Sequence, residues 1–266
     1  MEGRTGVEYN SLLTFTGYNV APAAAVQGFP MQKSPLSQRV YDELYGAMLT
    51  GRLGPGDRLN RREVAEDLGV SVAPVLEAMT QLEWEGFLTT RPRRGTMVSD
   101  VTAATLLGRF HLRVAIEAQA ARIYAGPRIR AVASHVQEMA AAVDATPPAT
   151  WQSVKSELQF HQGLVDVAAN GVLSQAFAQV MRHGLYYAAK RLVPKGPPRH
   201  PHLHERLVEK LLRADAEEAD RLMRLHLEPW IDLLTKAAAA EPVGEEMPDP
   251  RGKTRRLKSR KKLRSG

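Results

Sequence analysis

The sequence contains no cysteine, which excludes disulfide bonds and thiolate metal ligands. No apolar run approaches the roughly 20 residues that a membrane-spanning helix needs. The N-terminal residues also lack the basic segment followed by a hydrophobic segment that is typical of a secretory signal. These absences together predict a cytoplasmic protein that does not engage a membrane.

Acidic residues are absent from the last part of the chain. Residues 251–266 contain nine Lys or Arg and no acid, so the net charge of +7 comes from this tail and the rest of the chain is slightly acidic. We expect 241–266 to be a disordered basic tail and 1–32 to be a disordered extension. The tail can hold any DNA duplex by releasing counterions, or it can be a dispensable solvated extension.

A change of composition near Val101 predicts two domains, 33–100 and 101–240. In the first, apolar residues recur at helical spacing over Gln38–Leu49, and Asn60 can cap a second helix that ends at Gly69. Ser71 can cap a third helix, Ser71–Glu85. Two short helices across such a tight turn are typical of a helix-turn-helix, whose second helix enters the major groove of DNA.

A basic hairpin follows directly. Phe87–Thr90 and Thr96–Ser99 are predicted strands, and the loop between them carries Arg91, Arg93 and Arg94. Arginines at a hairpin tip suit contact with DNA phosphates or a minor groove. The fold class predicted for this segment is therefore a winged helix-turn-helix with a small β-hairpin wing.

These residues resemble the GntR superfamily of bacterial transcription regulators. The resemblance rests on Gly51-Arg52-Leu53, Pro55-Gly56-Asp57-Arg58-Leu59, Val64 to Ser71, Pro74-Val75, Glu77-Ala78, Leu82-Glu83, Glu85-Gly86 and Arg94-Gly95. It implies that Arg62 and the Arg94-Gly95 pair contact DNA. The positions expected to contact DNA are Arg58, Arg61, Arg62, Ser71, Val72, Ala73, Leu76, Arg93, Arg94 and Gly95.

Three of these positions depart from the family pattern. The family usually has arginine where this chain has Val72 and Leu76, and threonine where it has Ala73. Arginine can bind guanine through two hydrogen bonds, whereas valine and leucine offer only apolar contact with a thymine methyl. We expect altered or weakened operator reading; the alternative is that both side chains extend the packed face and DNA binding is lost.

The second domain is predicted to be an all-α antiparallel helical bundle. Its apolar faces predict helices over Leu106–Tyr124, Arg128–Val143, Thr150–Ala168, Val172–Leu192, His202–Arg213 and Asp215–Ala239.

Four of its polar residues suggest a metal site. Glu157 and His161 are four residues apart on one helix, and His204 and His226 lie on two others. Three imidazoles and a carboxylate suit zinc first, with nickel or manganese as alternatives. The alternative is that these histidines lie on the surface or form hydrogen bonds in the core, since the eight histidines of the chain allow many accidental groupings.

The segment from Glu157 to His161, with Leu164 and Asn170, resembles the metal-binding motif of the FCD domain, the ligand-binding domain of the FadR subfamily. That resemblance implies that one carboxylate and three histidines bind a divalent metal and that a small organic acid binds beside it. Glu157 stands where the family has aspartate, so the carboxylate is one methylene longer.

Arg113 is the best candidate to hold a carboxylate effector, because its planar guanidinium can bind both oxygens. The alternative is an ion pair with Glu117, one helical turn away. Arg182 and Tyr186 are further candidates on a flanking helix.

The sequence thus predicts a homodimeric, ligand-responsive regulator of double-stranded DNA and not an enzyme. Two alternatives stay open at this point. One is a metabolite-binding dimer with degraded DNA specificity, and the other is a metal-dependent hydrolase.

Overall fold

The computed structural model describes residues 34–100, 102–147, 150–189 and 200–240. The predicted extensions 1–32 and 241–266 therefore lie outside the described residues, as does the predicted end of a helix at Leu192. The described residues form two compact units that divide after Asp100. No helix among them is long and apolar enough to cross a membrane.

Within residues 34–100, the N-terminal unit shows three helices and three short strands. Their bounds are α1 Pro35–Leu49, β1 Arg58–Leu59, α2 Arg61–Leu68, α3 Val72–Trp84, β2 Leu88–Arg91 and β3 Gly95–Val98. The amide of Arg62 donates to Oδ1 of Asn60 (2.9 Å), and Gly69 ends α2 at a φ of 65°. The short turn between α2 and α3 confirms the predicted helix-turn-helix.

The sheet of this unit contains one strand, β1, that the sequence did not predict. The strand order is β1-β3-β2, all antiparallel, with Arg58 opposite Met97 and Thr90 opposite Thr96. β1 has two residues, too few to show an alternating pattern. Because β1 pairs with β3, Arg58 lies beside the strand that follows the hairpin tip.

Apolar contacts between α1 and α3 form the core of this unit. Leu44 and Met48 from α1, and Val75 and Leu82 from α3, are fully buried. One carboxylate, Glu85, is also buried and accepts a hydrogen bond of 2.5 Å from the Tyr41 hydroxyl.

The C-terminal unit is helical. Its described helices are α4 Ala103–Tyr124, α5 Pro127–Ala131, α6 Ala133–Asp144, α7 Trp151–Val167, α8 Gly171–Ala189, α9 Leu203–Leu211 and α10 Ala216–Ala240. The prediction of one continuous helix over Arg128–Val143 was wrong. Val132 leaves the helical region, at φ −118° and ψ 22°, and divides it into α5 and α6.

The pair α4 and α10 supports one part of the core. Leu106 and Phe110 from α4 pack against Leu227 and Leu234 from α10, and the Phe110 ring stacks on Trp230 with centroids 5.9 Å apart. This pairing brings the polar residues of α4 near those of α10. The winged helix-turn-helix followed by a helical unit confirms the predicted fold class.

Candidate DNA-reading surface and metal centre

A basic groove lies between the start of α2, the start of α3 and the wing. It has a volume of about 620 Å³. The residues that line it are Arg58, Leu59, Asn60, Arg61, Arg62, Val72, Thr90, Arg94, Gly95 and Thr96. The groove therefore gathers six of the ten positions expected to contact DNA, and its four arginines give it the charge that phosphate binding needs.

The start of α3 presents an apolar surface to solvent. Val72 is 42% exposed and Leu76 is 41% exposed, and Ala73 beside them is also exposed. These side chains are thus not part of the packed core of α3. Ser71 has the extended backbone of a cap residue, but its side chain makes no capping hydrogen bond, so the predicted cap is wrong in that respect.

The wing tip is a tight turn with an unusual residue in its third position. The amide of Arg94 donates to the carbonyl of Arg91 (3.1 Å), which closes a turn through Pro92 and Arg93. Arg93 has a φ of 64°, a region usually left to glycine or asparagine at this position. Its long side chain is held at the exposed tip despite that backbone cost.

In the helical unit, three predicted metal ligands converge. His161 on α7, His204 on α9 and His226 on α10 each offer a nitrogen, and these nitrogens lie within 4.8 Å of one another. Oε2 of Glu157 lies 3.2 Å from Nε2 of His204 and 3.6 Å from Nε2 of His161. The structure thus brings together four residues from three helices.

The carboxylate of Glu117 orients His161 by binding the ring nitrogen that faces away from the other histidines. Nδ1 of His161 lies 2.5 Å from Oε2 of Glu117, whose Oε1 accepts a 2.6 Å bond from Nε of Arg113. Because a carboxylate only accepts, Nδ1 carries the proton and Nε2 faces the cluster. The ion pair between Arg113 and Glu117 is therefore present, and it connects Arg113 to the histidine cluster.

A second carboxylate orients His204. Oδ1 of Asp144, at the end of α6, lies 2.6 Å from Nδ1 of His204. Sequence reasoning missed this role of Asp144 and gave Glu117 no part in orienting a ligand. Histidine ligands commonly donate their other N–H to such a carboxylate, which fixes the ring for the metal.

The electrostatics of the cluster follow from this packing. Burial favours a neutral Glu117, but the charges and hydrogen bonds of His161 and Arg113 outweigh it and hold the pKa of Glu117 at about 2. Burial likewise favours a neutral His204, but Glu157 and Asp144 raise its pKa. Burial, with the charges of His161 and His204, lowers the pKa of His226 to about 3.

The donor set fits a divalent cation. Three imidazole nitrogens bound to one zinc at about 2.1 Å lie roughly 3.4 Å apart, so small side-chain shifts would bring these three onto one ion. Three carboxylates surround the cluster, against one guanidinium, which leaves negative charge that a metal would balance. Glu157 is the nearest oxygen ligand.

The three predicted effector-binding residues lie on α4 and α8. Arg113 is buried beside the cluster, and its guanidinium lies 4.9 Å from the ring centroid of Phe110. Arg182 lies half-buried on α8. Tyr186 lies on the same helix, but its side chain is outside the described residues.

Two family models match the chain. Residues 36–98 match the bacterial regulatory proteins of the gntR family, and residues 109–229 match the FCD domain. The chain belongs to the GntR family. Its two units therefore correspond to the GntR helix-turn-helix domain and to the FCD domain, a combination typical of DNA-binding transcription regulators. Members of this family are regulators and not enzymes, so the hydrolase alternative falls away.

Individual relatives agree with this assignment. An uncharacterized HTH-type transcriptional regulator of Mycobacterium tuberculosis is 40% identical over 74 residues, which is 28% of this chain and only 30% of that protein. The uncharacterized HTH-type regulator YdhC of Bacillus subtilis is 24% identical over 73% of this chain and 88% of its own length.

Solved structures share the fold. A GntR transcriptional regulator from Rhodococcus sp. RHA1 has a TM-score of 0.53 at 18% identity, covering 79% of this chain and 100% of that one. Escherichia coli McbR/YncC has a TM-score of 0.52 at 21% identity, covering 76% and 98%. These likenesses concern the fold alone.

Proposed function

We propose that this GntR-family regulator acts in the cytoplasm as a homodimer of the FadR subfamily. In this proposal, its operator affinity is set by a small carboxylate metabolite held beside a divalent metal. The observation that carries the proposal is the convergence of His161, His204 and His226 within 4.8 Å, with Glu157 against two of them. Zinc is the first choice of metal, because it takes imidazole and carboxylate ligands; nickel and manganese are the alternatives.

In this proposal Arg113 binds the effector carboxylate while its Nε remains bonded to Glu117. The metal and the guanidinium would then hold opposite ends of one anion. Arg182 and Tyr186 are proposed to line the same site from α8. For the effector to act on DNA, it must bind two arrangements of the DNA-binding heads with unequal affinity.

The metal is tested by elemental analysis of the purified protein and by thermal unfolding with and without added zinc, nickel or manganese. Because an ion that binds only the folded state stabilises it, one of these metals should raise the melting temperature. His161→Ala, His204→Ala or His226→Ala should remove that rise, whereas His135→Ala, on the exposed side of α6, should keep it. A rise that survives all three ligand changes would contradict the metal site.

DNA reading is proposed to involve Arg58, Arg61, Arg62 and Arg94 along the groove, Arg93 and Gly95 at the wing, and Ser71, Val72, Ala73 and Leu76 at the start of α3, hereafter the reading helix. Selection from a random duplex pool near physiological salt tests this. The full chain and a chain ending at Ala240 should enrich the same palindrome, since residues beyond 240 would add only sequence-independent affinity. A palindrome would also support the homodimer.

A second candidate function is a metabolite-binding dimer that holds DNA without reading it. The exposure of Val72 and Leu76, which cannot make bidentate contacts with guanine, favours it. Recovery of no motif from folded, dimeric protein would select this candidate.

A further inference from the structure

A carboxylate on the reading helix is bonded to the wing. Glu83 lies in the last turn of α3, and both of its oxygens accept hydrogen bonds from Thr90 on β2. The amide of Thr90 donates to Oε1 (2.9 Å), and its hydroxyl donates to Oε2 (3.0 Å). Seven residues separate the two in sequence, so this contact fixes one structural element against another rather than capping a helix.

The connection continues into the third strand. The Thr90 and Thr96 hydroxyl oxygens are 2.9 Å apart, and the two residues face each other in the strand register. Thr90 has one hydroxyl proton, which it gives to Glu83, so Thr96 is the donor in this contact. The hydrogen bonds from Thr96 to Thr90 and from Thr90 to Glu83 therefore join both strands of the hairpin to the reading helix.

The amide of Thr90 would otherwise have no partner in the sheet. β2 lies at the edge of the described sheet and pairs with β3 on its other side. An edge strand presents unpaired amides, and Glu83 binds the one at Thr90. The position of β2 relative to α3 is thus set by directed hydrogen bonds in addition to apolar packing.

This contact adjoins the basic groove. Thr90 and Thr96 line the groove together with Arg94 and Gly95. We propose that Glu83 is a positioning residue for DNA binding, which holds the wing so that Arg94 and the reading helix engage the same duplex. The inference needs only duplex binding by the head and does not depend on the metal, the effector or a specific operator.

The sign of the effect separates this role from a merely electrostatic one. Glu83 is negatively charged and close to a surface that binds phosphate, so its charge alone opposes DNA binding. If Glu83 did nothing else, its removal would tighten binding. If it positions the wing, its removal weakens binding although a repulsive charge has been lost.

The test measures binding of full-length protein to a short duplex of fixed mixed sequence, by fluorescence anisotropy over a series of salt concentrations. Glu83→Ala should weaken binding roughly threefold to tenfold, the loss that corresponds to the net free energy of one ordinary, solvent-exposed hydrogen bond. Glu83→Gln should fall between, because the amide oxygen can still accept from the Thr90 amide. Glu66→Gln, which removes an exposed acid from α2, is the charge control and should bind the duplex as tightly as the parent protein or more tightly.

A double-mutant cycle with Arg94→Ala shows whether the effect passes through the wing. If it does, Glu83→Ala should add little further loss once Arg94 is gone. Thr90→Val removes only the hydroxyl and serves as the second variant if Glu83→Ala does not fold; it should weaken binding and be non-additive with Arg94→Ala in the same way. Unchanged or tighter binding by Glu83→Ala, or full additivity with Arg94→Ala, would overturn the proposal.

Discussion

Asp144 binds His204 through both of its oxygens. Oδ1 lies 2.6 Å from Nδ1 of the imidazole, while Oδ2 accepts the backbone amide of His204 (3.0 Å) and that of Glu205 (3.1 Å). One carboxylate thus fixes the ring and also satisfies two amides in the first turn of α9, where a negative charge is favoured. The orientation of His204 and the start of α9 therefore depend on the same side chain.

We therefore expect Asp144→Asn to weaken metal binding about 10- to 100-fold, the usual cost of losing such an outer carboxylate. The asparagine oxygen can still accept an amide of α9, so the helix should persist. Isothermal titration of the metal-depleted protein with zinc measures the change. Asp220→Asn, which breaks a surface pair with Arg224 on α10, is the control and should leave the affinity unchanged. Equal affinities for all three proteins would contradict the role of Asp144.

Metal binding should also depend on pH in a defined direction. In the metal-free protein His204 lies between Glu157 and Asp144, which raise its pKa above the ordinary 6.5, so the metal must displace its proton. Below that raised pKa, affinity should fall as pH falls, by about tenfold per pH unit for each proton displaced. His226 should add nothing near neutral pH, because its pKa of about 3 leaves it already neutral.

Titrations in buffers of different ionisation enthalpy count the protons released. Proton release at pH 7 and weaker binding at pH 6 are expected. Affinity that is flat between pH 6 and pH 8 would contradict the displacement of a proton from His204 by the metal.

Two tyrosine hydroxyls should respond oppositely to the same chemical change. The Tyr124 hydroxyl is buried with no hydrogen-bond partner among the described residues, and burial, with the charge of Glu117, raises its pKa. An unsatisfied buried hydroxyl costs about 1 to 3 kcal/mol, so Tyr124→Phe should raise the free energy of unfolding of the metal-free protein.

Tyr41→Phe is the matched comparison. It removes the donor of the 2.5 Å bond to buried Glu85 and should lower the free energy of unfolding by about 1 to 3 kcal/mol. Thermal and denaturant unfolding of both variants measure whether the free energy of unfolding rises or falls in each. A marked loss of stability in Tyr124→Phe would show that its hydroxyl has a partner in solution.

The sequence predicted the four residues that converge at the candidate metal site but only part of what holds them in place. His161 and Glu157 share a helix face, and helical spacing makes that readable. Asp144 meets His204 across 60 residues, through the packing of α6 against α9, and no local pattern records such a contact. The break at Val132 is equally invisible, because the apolar spacing continues through it. Sequence patterns report the faces of helices, whereas orienting contacts depend on how those helices pack.

At the wing tip, a cationic side chain occupies a backbone conformation that lowers stability. Arg93 has a φ of 64°, a conformation that costs a residue with a Cβ roughly 1 to 2 kcal/mol and costs glycine little. Arg93→Gly should therefore leave the melting temperature unchanged or raise it. It should also weaken duplex binding and reduce the salt dependence by about one phosphate contact. Arg39→Ala on α1 is a control for loss of one positive charge. Duplex binding that is unchanged in Arg93→Gly would exclude a DNA contact at the tip.

The apolar start of α3 should determine which bases are read. Val72 and Leu76 are exposed, so replacing both by arginine should not disturb the core. Arginine donates two hydrogen bonds to guanine, and each such contact is worth about 1 to 3 kcal/mol of discrimination. Selection from a random duplex pool should therefore enrich guanine with the Val72→Arg/Leu76→Arg protein, at positions where the parent protein enriches thymine or shows no preference. Leu112→Arg, an exposed leucine on α4, should select the parent motif. Identical motifs from the parent and the double variant would mean that the start of α3 does not contact bases, and DNA reading would then have to rest on the wing and the groove.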